Sequence, residues 1–210
     1  MLLTDHFSIV NLSSAVKKSS HSSYISELDK DYISRFRNPK RQHTTLVLRN
    51  LTRELLWKQT GVPKHQWEFS ILENKSRIAV SDTGETFHVS FSHCPNFGAV
   101  TISQTPVGID VEEVKQSRPW EKMIDFLDLP ETTPKIKNQV EFLHHWTTHE
   151  ARIKFRSASK KAIAFHQYRL SKNVVLCLAS SLDEDLLPIL VPSETSLCRD
   201  QDVKAVIKKL

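Results

Sequence analysis

The sequence predicts an α+β protein, and three observations carry that reading. Two long stretches, from Gln42 to Lys58 and from Gln139 to about Ala158, place apolar residues at helical spacing. The stretches 67–80, 87–103 and 162–182 read instead as short strands joined by turns, so the strands come as hairpins and do not alternate singly with helices. A chain of 210 residues can bury one core, or two small packed subdomains.

The elements follow in order. Residues 1–22 are Ser-rich and suggest a loosely held start with one short strand, FSIV. From Ser26 to Phe36 the pattern fits a short helix, which the Asn38-Pro39 turn ends. The helix from Gln42 to Lys58 carries Leu48, Leu51, Leu55 and Leu56 on one face, with Arg49 and Arg53 one turn apart on an adjacent face. Gly61-Val62-Pro63 stops it. Two strands then flank a polar turn at Asn74 to Ser76, and FHVSFSH alternates with Phe87, Val89 and Phe91 on one side. FGAVTIS completes that hairpin and VGIDVEEV follows as an acidic strand. A helix is expected from Arg118 to Leu129, and the two prolines of LPETTPKIKN mark a loop. The next helix has an apolar stripe of Phe142, Leu143, Trp146 and Ile153, with Glu150 and Lys154 on its border. AIAFHQYRL and NVVLCLASSL pair as a hairpin, and RDQDVKAVIKKL forms a terminal amphipathic helix.

Composition narrows the function. With 39% hydrophobic and 25% charged residues the chain matches soluble globular proteins. Its start has no basic segment ahead of a long apolar run, and no window approaches the roughly 18 apolar residues of a membrane span. A cytoplasmic protein without membrane contact is expected. Cys94, Cys177 and Cys198 form no CxxC pair and are odd in number, so they read as reduced thiols. A net charge of +5 and a pI near 9.1 call for an anionic partner. The charge gathers at Arg35, Arg37, Lys40, Arg41, Arg49 and Arg53, and again at Arg152, Lys154, Arg156, Lys160 and Lys161. Aromatic residues do not interleave with these as a base-stacking platform would, which argues against nucleic acid.

The chemistry centres on Asp110 and Glu112. Two residues apart on a strand, they share a face, and a shared acidic pocket invites a divalent cation. Taken alone they describe a solvated strand end. Glu150, 40 positions beyond Asp110 on a helix, supplies the third carboxylate that favours the metal reading. Lys154 lies one turn from Glu150, a pair that in isolation would be an ordinary surface contact. His145 and His149 are also one turn apart and offer a rival, a His/Glu metal-dependent hydrolase, although no HExxH is present.

These residues carry a resemblance. VGIDVE, then about forty residues, then WTTHEARIK is similar to the paired signature GIDxE and W(S/T)xKE(A/S)xxK of the 4'-phosphopantetheinyl transferase superfamily. FHVSFSHCPNFGAVTIS resembles that family's Ser-His segment, and RFRNPKRQHTTLVLRNLTRELL its basic lead into the first helix. The four matches run in order from Arg35 to Lys154, more than half of the chain.

At this length the resemblance is to the surfactin-synthetase-activating type, which implies two similar subdomains arranged as a pseudo-dimer. Each would be a small antiparallel sheet packed with helices, residues 1–104 and 105–210, with the active site in the cleft between them. It implies transfer of 4'-phosphopantetheine from coenzyme A to a serine of an acyl or peptidyl carrier protein, through the carrier's acidic helix surface, in fatty-acid, polyketide or nonribosomal-peptide synthesis. Asp110, Glu112 and Glu150 would hold Mg²⁺, or Mn²⁺ in its place. Glu150, or a metal-bound water near Glu112, would serve as base and Lys154 would steady the phosphates. Arg35, Lys40, Arg41, Arg77, Ser92, His93 and Lys154 would contact coenzyme A. A monomer would hold a complete site. Three departures stand out: His149 replaces the lysine before the glutamate, Thr44 replaces a frequent arginine, and Gly-Lys-Pro is missing. They leave room for the alternative of a slow or inactive relative that binds coenzyme A or a carrier protein.

Overall fold

A computed structural model describes residues 6–12, 24–127, 129–131, 133–155, 163–181 and 189–190. The described chain is α+β, with two sheets and four α-helices. Strand β1 is His6–Asn11 and helix α1 is Glu27–Ser34. Ser26 starts α1 through a reciprocal capping box: its Oγ accepts the Asp29 N–H at 3.1 Å, and the Asp29 carboxylate accepts the Ser26 N–H at 3.2 Å.

Helix α2, Pro39–Thr60, exceeds the expected span at both ends because its stop signals lie outside the apolar repeat. Asn38 Oδ1 accepts the backbone N–H groups of Lys40 and Arg41, and Gly61 takes the left-handed conformation (φ 78°) that ends the helix. Strands β2 (Trp67–Ile71), β3 (Arg77–Ser81), β4 (Thr86–His93) and β5 (Phe97–Ser103) form an antiparallel meander. Strand β6 is Val107–Glu113. Helix α3 is only Trp120–Met123, followed by a tighter turn over Ile124–Phe126, where the sequence predicts a helix to Leu129. No side chain caps α3, and the tightening seats Leu127 in a cluster with Ile136 and Phe142.

Helix α4 is Gln139–Phe155, and β7 (Ile163–Ser171) and β8 (Val174–Ser181) form the expected hairpin. Strand β9, Ile189–Leu190, lies parallel to β1. The sheets run β2-β3-β4-β5-β1-β9 and β6-β8-β7. Cys198, Arg156, Lys160, Lys161 and the expected terminal helix lie outside the described residues, and no described helix is long and apolar enough to cross a membrane.

The layers follow from alternation along the strands. On β4 and β5, Phe87, Val89, Val100 and Ile102 pack with Leu48, Leu51, Leu55 and Leu56 of α2. The opposite face brings Phe7 and Ala99 against Val107, Ile109 and Val111 of β6, so the second sheet covers the first. Burying each of these aliphatic side chains stabilises the fold by about 1.5–3 kcal/mol. Beyond the second sheet lies α4. Its buried face is Phe142, Leu143, Thr147, Ala151 and Phe155, while Ile153 is 45% exposed and does not continue the predicted stripe. Small residues at 147 and 151 let the helix lie close to the sheet.

Arg49 and Arg53, counted in the basic cluster, are both buried. Neither is on a solvated face: both reach the fully buried Asp29, Arg49 through Nη1 to Oδ1 and Arg53 through Nη1 to Oδ2 at 2.7 Å. Arg53 Nε also donates to the Trp67 carbonyl at 3.1 Å. Two of the basic charges therefore serve the interior, where one carboxylate ties the cap of α1 to α2.

Burial pushes the Asp29 carboxyl up, but the hydrogen bonds and charges of Arg53 and Arg49 together outweigh it and hold the group below its ordinary value of 3.8. The stability this carboxylate contributes is therefore whole above pH 3.8 and is lost as pH falls through the folded value. Asp29→Ala, which strands two buried guanidinium groups, should cost about 3–5 kcal/mol in urea unfolding at pH 7. Asp29→Asn should flatten the fall of stability below pH 3.8 that the parent protein shows.

Candidate active site

A cavity of about 490 Å³ opens where α1, α2 and strands β2 to β4 meet β6 and α4. On β6 the even-numbered residues Gly108, Asp110 and Glu112 share one face because side chains alternate along a strand. That face meets α4. A Cβ on Gly108 would overlap the Ala151 carbonyl oxygen and stand 2.7 Å from the Phe155 nitrogen, so only glycine lets the helix backbone lie on the strand here. This approach carries Glu150 and Lys154 to the acidic residues.

Asp110 is the hub. It is 4% exposed, and its Oδ1 accepts two hydrogen bonds, from Ser92 Oγ and from Lys154 Nζ, each at 2.7 Å. Its Oδ2 is buried and accepts none from the described residues. Ser92 comes from β4, whose serine face turns toward β6. Its neighbour Ser90 accepts the Ile109 N–H at 3.1 Å, satisfying a backbone donor on the edge of β6. Glu112 takes the Arg118 guanidinium, with Nη2 to Oε2 at 2.5 Å. Glu150 lines the cavity without a hydrogen bond or ion pair from any described residue.

Contrary to the expectation that aromatic residues do not interleave with the basic ones, the opposite wall alternates arginine with aromatic rings, because folding brings Phe69, Arg77 and Phe91 from the strands beside Tyr32, Phe36, Arg41 and Arg49 from α1, α2 and their junction. Arg41 lies over Phe36 at 4.5 Å, and Arg49 lies between Tyr32 at 4.4 Å and Phe69 at 5.0 Å. Arg77 lies over Phe91 at 5.9 Å. Guanidinium planes stack favourably on rings, so the wall presents positive charge in fixed orientations.

Asp110, Glu112, Glu150, Lys154, Ser92, His93, Arg41 and Arg77, all singled out from the sequence, line this one cavity. Arg35 and Lys40 do not. Arg35 pairs with Asp31 at 2.7 Å on the surface and Lys40 is exposed. His149 lies against Trp146, with ring centroids 6.2 Å apart, and is outside the lining. Among the described residues no group of three or more His, Cys, Asp or Glu side chains has metal-holding spacing, which applies to the three carboxylates as placed and to His145 with His149. Thr44 is buried, while its neighbour Thr45 faces the cavity. Cys94 and Cys177 are buried free thiols, pushed by burial up to about 11 and about 12, so both stay protonated at neutral pH.

Sequence reasoning missed Arg118, Arg49 and the rings of Tyr32, Phe36 and Phe69. Arg118 carries no periodic signal, and the other residues read as ordinary helix and strand positions. Gly108→Ala should separate α4 from β6, lower the melting temperature by roughly 4–8 °C for a cost of about 2 kcal/mol, and break the Asp110 to Lys154 contact. Thermal unfolding with a lysine-resolved NMR spectrum would read both effects.

No family model matches this chain, and no curated protein matches it. The likeness to the transferase superfamily rests on its four motifs.

Proposed function

We propose that the protein transfers the 4'-phosphopantetheine group of coenzyme A to a serine hydroxyl of an acyl or peptidyl carrier protein, releasing adenosine 3',5'-bisphosphate. The observation that carries this reading is convergence. Arg41, Ser92-His93, Asp110-Glu112 and Glu150-Lys154 come from four separate segments and line the same cavity. One half would be β1 to β5 with α1 and α2 and the other β6 to β8 with α4, joined near Gln104 with the active site in the cleft between them, while β9 from the second half adds to the first sheet beside β1.

Asp110 Oδ2 is a buried hard oxygen without a donor, and Glu150 is unpaired among the described residues, so both fit Mg²⁺. Bound there, the cation would neutralise charge on the pyrophosphate oxygens. The carrier serine oxygen forms the new bond to phosphorus while the bond to the departing adenosine bisphosphate breaks. Glu150 takes the serine proton. Lys154, held by one carboxylate oxygen and 22% exposed, turns to the phosphate charge that grows on the leaving group. Arg41, Arg77 and His93 bind the remaining anionic groups. Arg35 and Lys40 stand beside the lining residues Phe36 and Arg41 and reach only a phosphate at the rim. One chain supplies every residue of the site, so a monomer suffices, working on carriers in the cytoplasm.

Incubating an apo carrier protein with this protein, coenzyme A and Mg²⁺ should add the mass of one phosphopantetheine to the carrier serine, and EDTA should prevent it. No gain on acyl or peptidyl carriers would leave the slow or inactive relative as the better reading. Asp110→Ala or Glu150→Ala should lower transfer on the order of 10³-fold with the fold intact. His149→Lys should be tolerated or raise turnover near neutral pH, since the imidazole lies outside the lining; complete loss would give that ring a role of its own.

A further inference from the structure

The three acidic residues of the site differ in what holds them, and the difference lies in Arg118. Lys154 Nζ meets Asp110 while 22% of its side chain remains exposed, and its flexible stem lets an incoming phosphate draw it away. Arg118 has no such freedom. Its side chain is only 9% exposed and its Nη2 lies 2.5 Å from Glu112 Oε2. Its Nη1 is buried with no acceptor among the described residues. An unmet buried donor is costly, so the guanidinium keeps this position because Glu112 holds it there. Among the described residues Asp110 Oδ2 and Glu150 remain open, whereas Glu112 is already paired with the Arg118 guanidinium.

We infer that Arg118 is a positioning residue that holds Glu112 away from the cation, leaving a two-carboxylate site of Asp110 and Glu150 in place of the three-carboxylate site that the sequence suggests. This rests on the proposed cation site. Divalent affinity rises with the number of charged ligands, so a site reduced to two carboxylates binds weakly until phosphate oxygens complete it. Removing the guanidinium returns Glu112 to the cation. Arg118 then sets how far cation binding depends on the phosphorylated substrate.

The test is titration with Mn²⁺ alone, followed by electron paramagnetic resonance of the free ion, with circular dichroism as the check on folding. Arg118→Gln should bind Mn²⁺ on the order of tenfold more tightly than the parent protein, and Arg118→Lys should restore parent affinity. Glu112→Gln, which keeps an acceptor for Arg118, should change affinity by less than about twofold. Equal or weaker binding by folded Arg118→Gln, or a tenfold loss in Glu112→Gln, overturns the inference. If Arg118→Gln does not fold, the Glu112→Gln result alone decides. Asp110→Asn separates the two claims: Mn²⁺ binding that survives it sinks the cation site itself. Absence of binding in both the parent and Arg118→Gln overturns both.

Discussion

The approach of α4 to Gly108 sets the geometry of the candidate site. Helix backbone cannot lie against a strand where a Cβ intervenes, and at Gly108 none does. Thr147 and Ala151 continue the close contact along the helix, and Phe142, Leu143 and Phe155 bury the rest of its face. With the two backbones so close, Lys154 reaches Asp110 at 2.7 Å. A longer separation would leave the lysine in solvent and the buried carboxylate uncompensated, which is costly.

A second constraint is polar. The edge of β6 lies over the serine face of β4, and its unpaired backbone donor must be met. Ser90 accepts the Ile109 N–H, and Ser92 donates to Asp110. Both contacts need small hydroxyl side chains on the face opposite Phe87, Val89 and Phe91, so the alternation of FHVSFSH serves the core on one side and the junction between sheets on the other. Each acidic residue then has its own electrostatic condition. Asp110 accepts a part-exposed lysine, Glu112 pairs with an arginine whose side chain is largely covered, and Glu150 faces the cavity without a partner among the described residues.

The arginine wall depends on a carboxylate far from the acidic cluster. Asp29 closes the cap of α1 and receives Arg49 and Arg53, which directs the Arg49 guanidinium between Tyr32 and Phe69. Arg41 and Arg77 are oriented by rings as well. The basic character read from composition is therefore divided. Part of it is spent in the interior and part faces the cavity.

The sequence by itself determined the α+β class, both long helices, the hairpins of 67–103 and 163–181, and the candidate acids with Lys154. These are legible because alternation, helical spacing and turn residues act within a few positions of one another. Local periodicity ended there. It extended the helix after Arg118 too far, placed Ile153 on a buried stripe, and gave no sign that Arg49 and Arg53 are buried, since burial of an arginine depends on a carboxylate 20 or more residues away. Only the tertiary structure decided that Gly108 admits α4, that β6 leaves the first sheet for β8, and that Arg118 claims Glu112. Each of these depends on which backbone lies beside which after folding, and that information resides in contacts between distant segments, not in the spacing within any one of them.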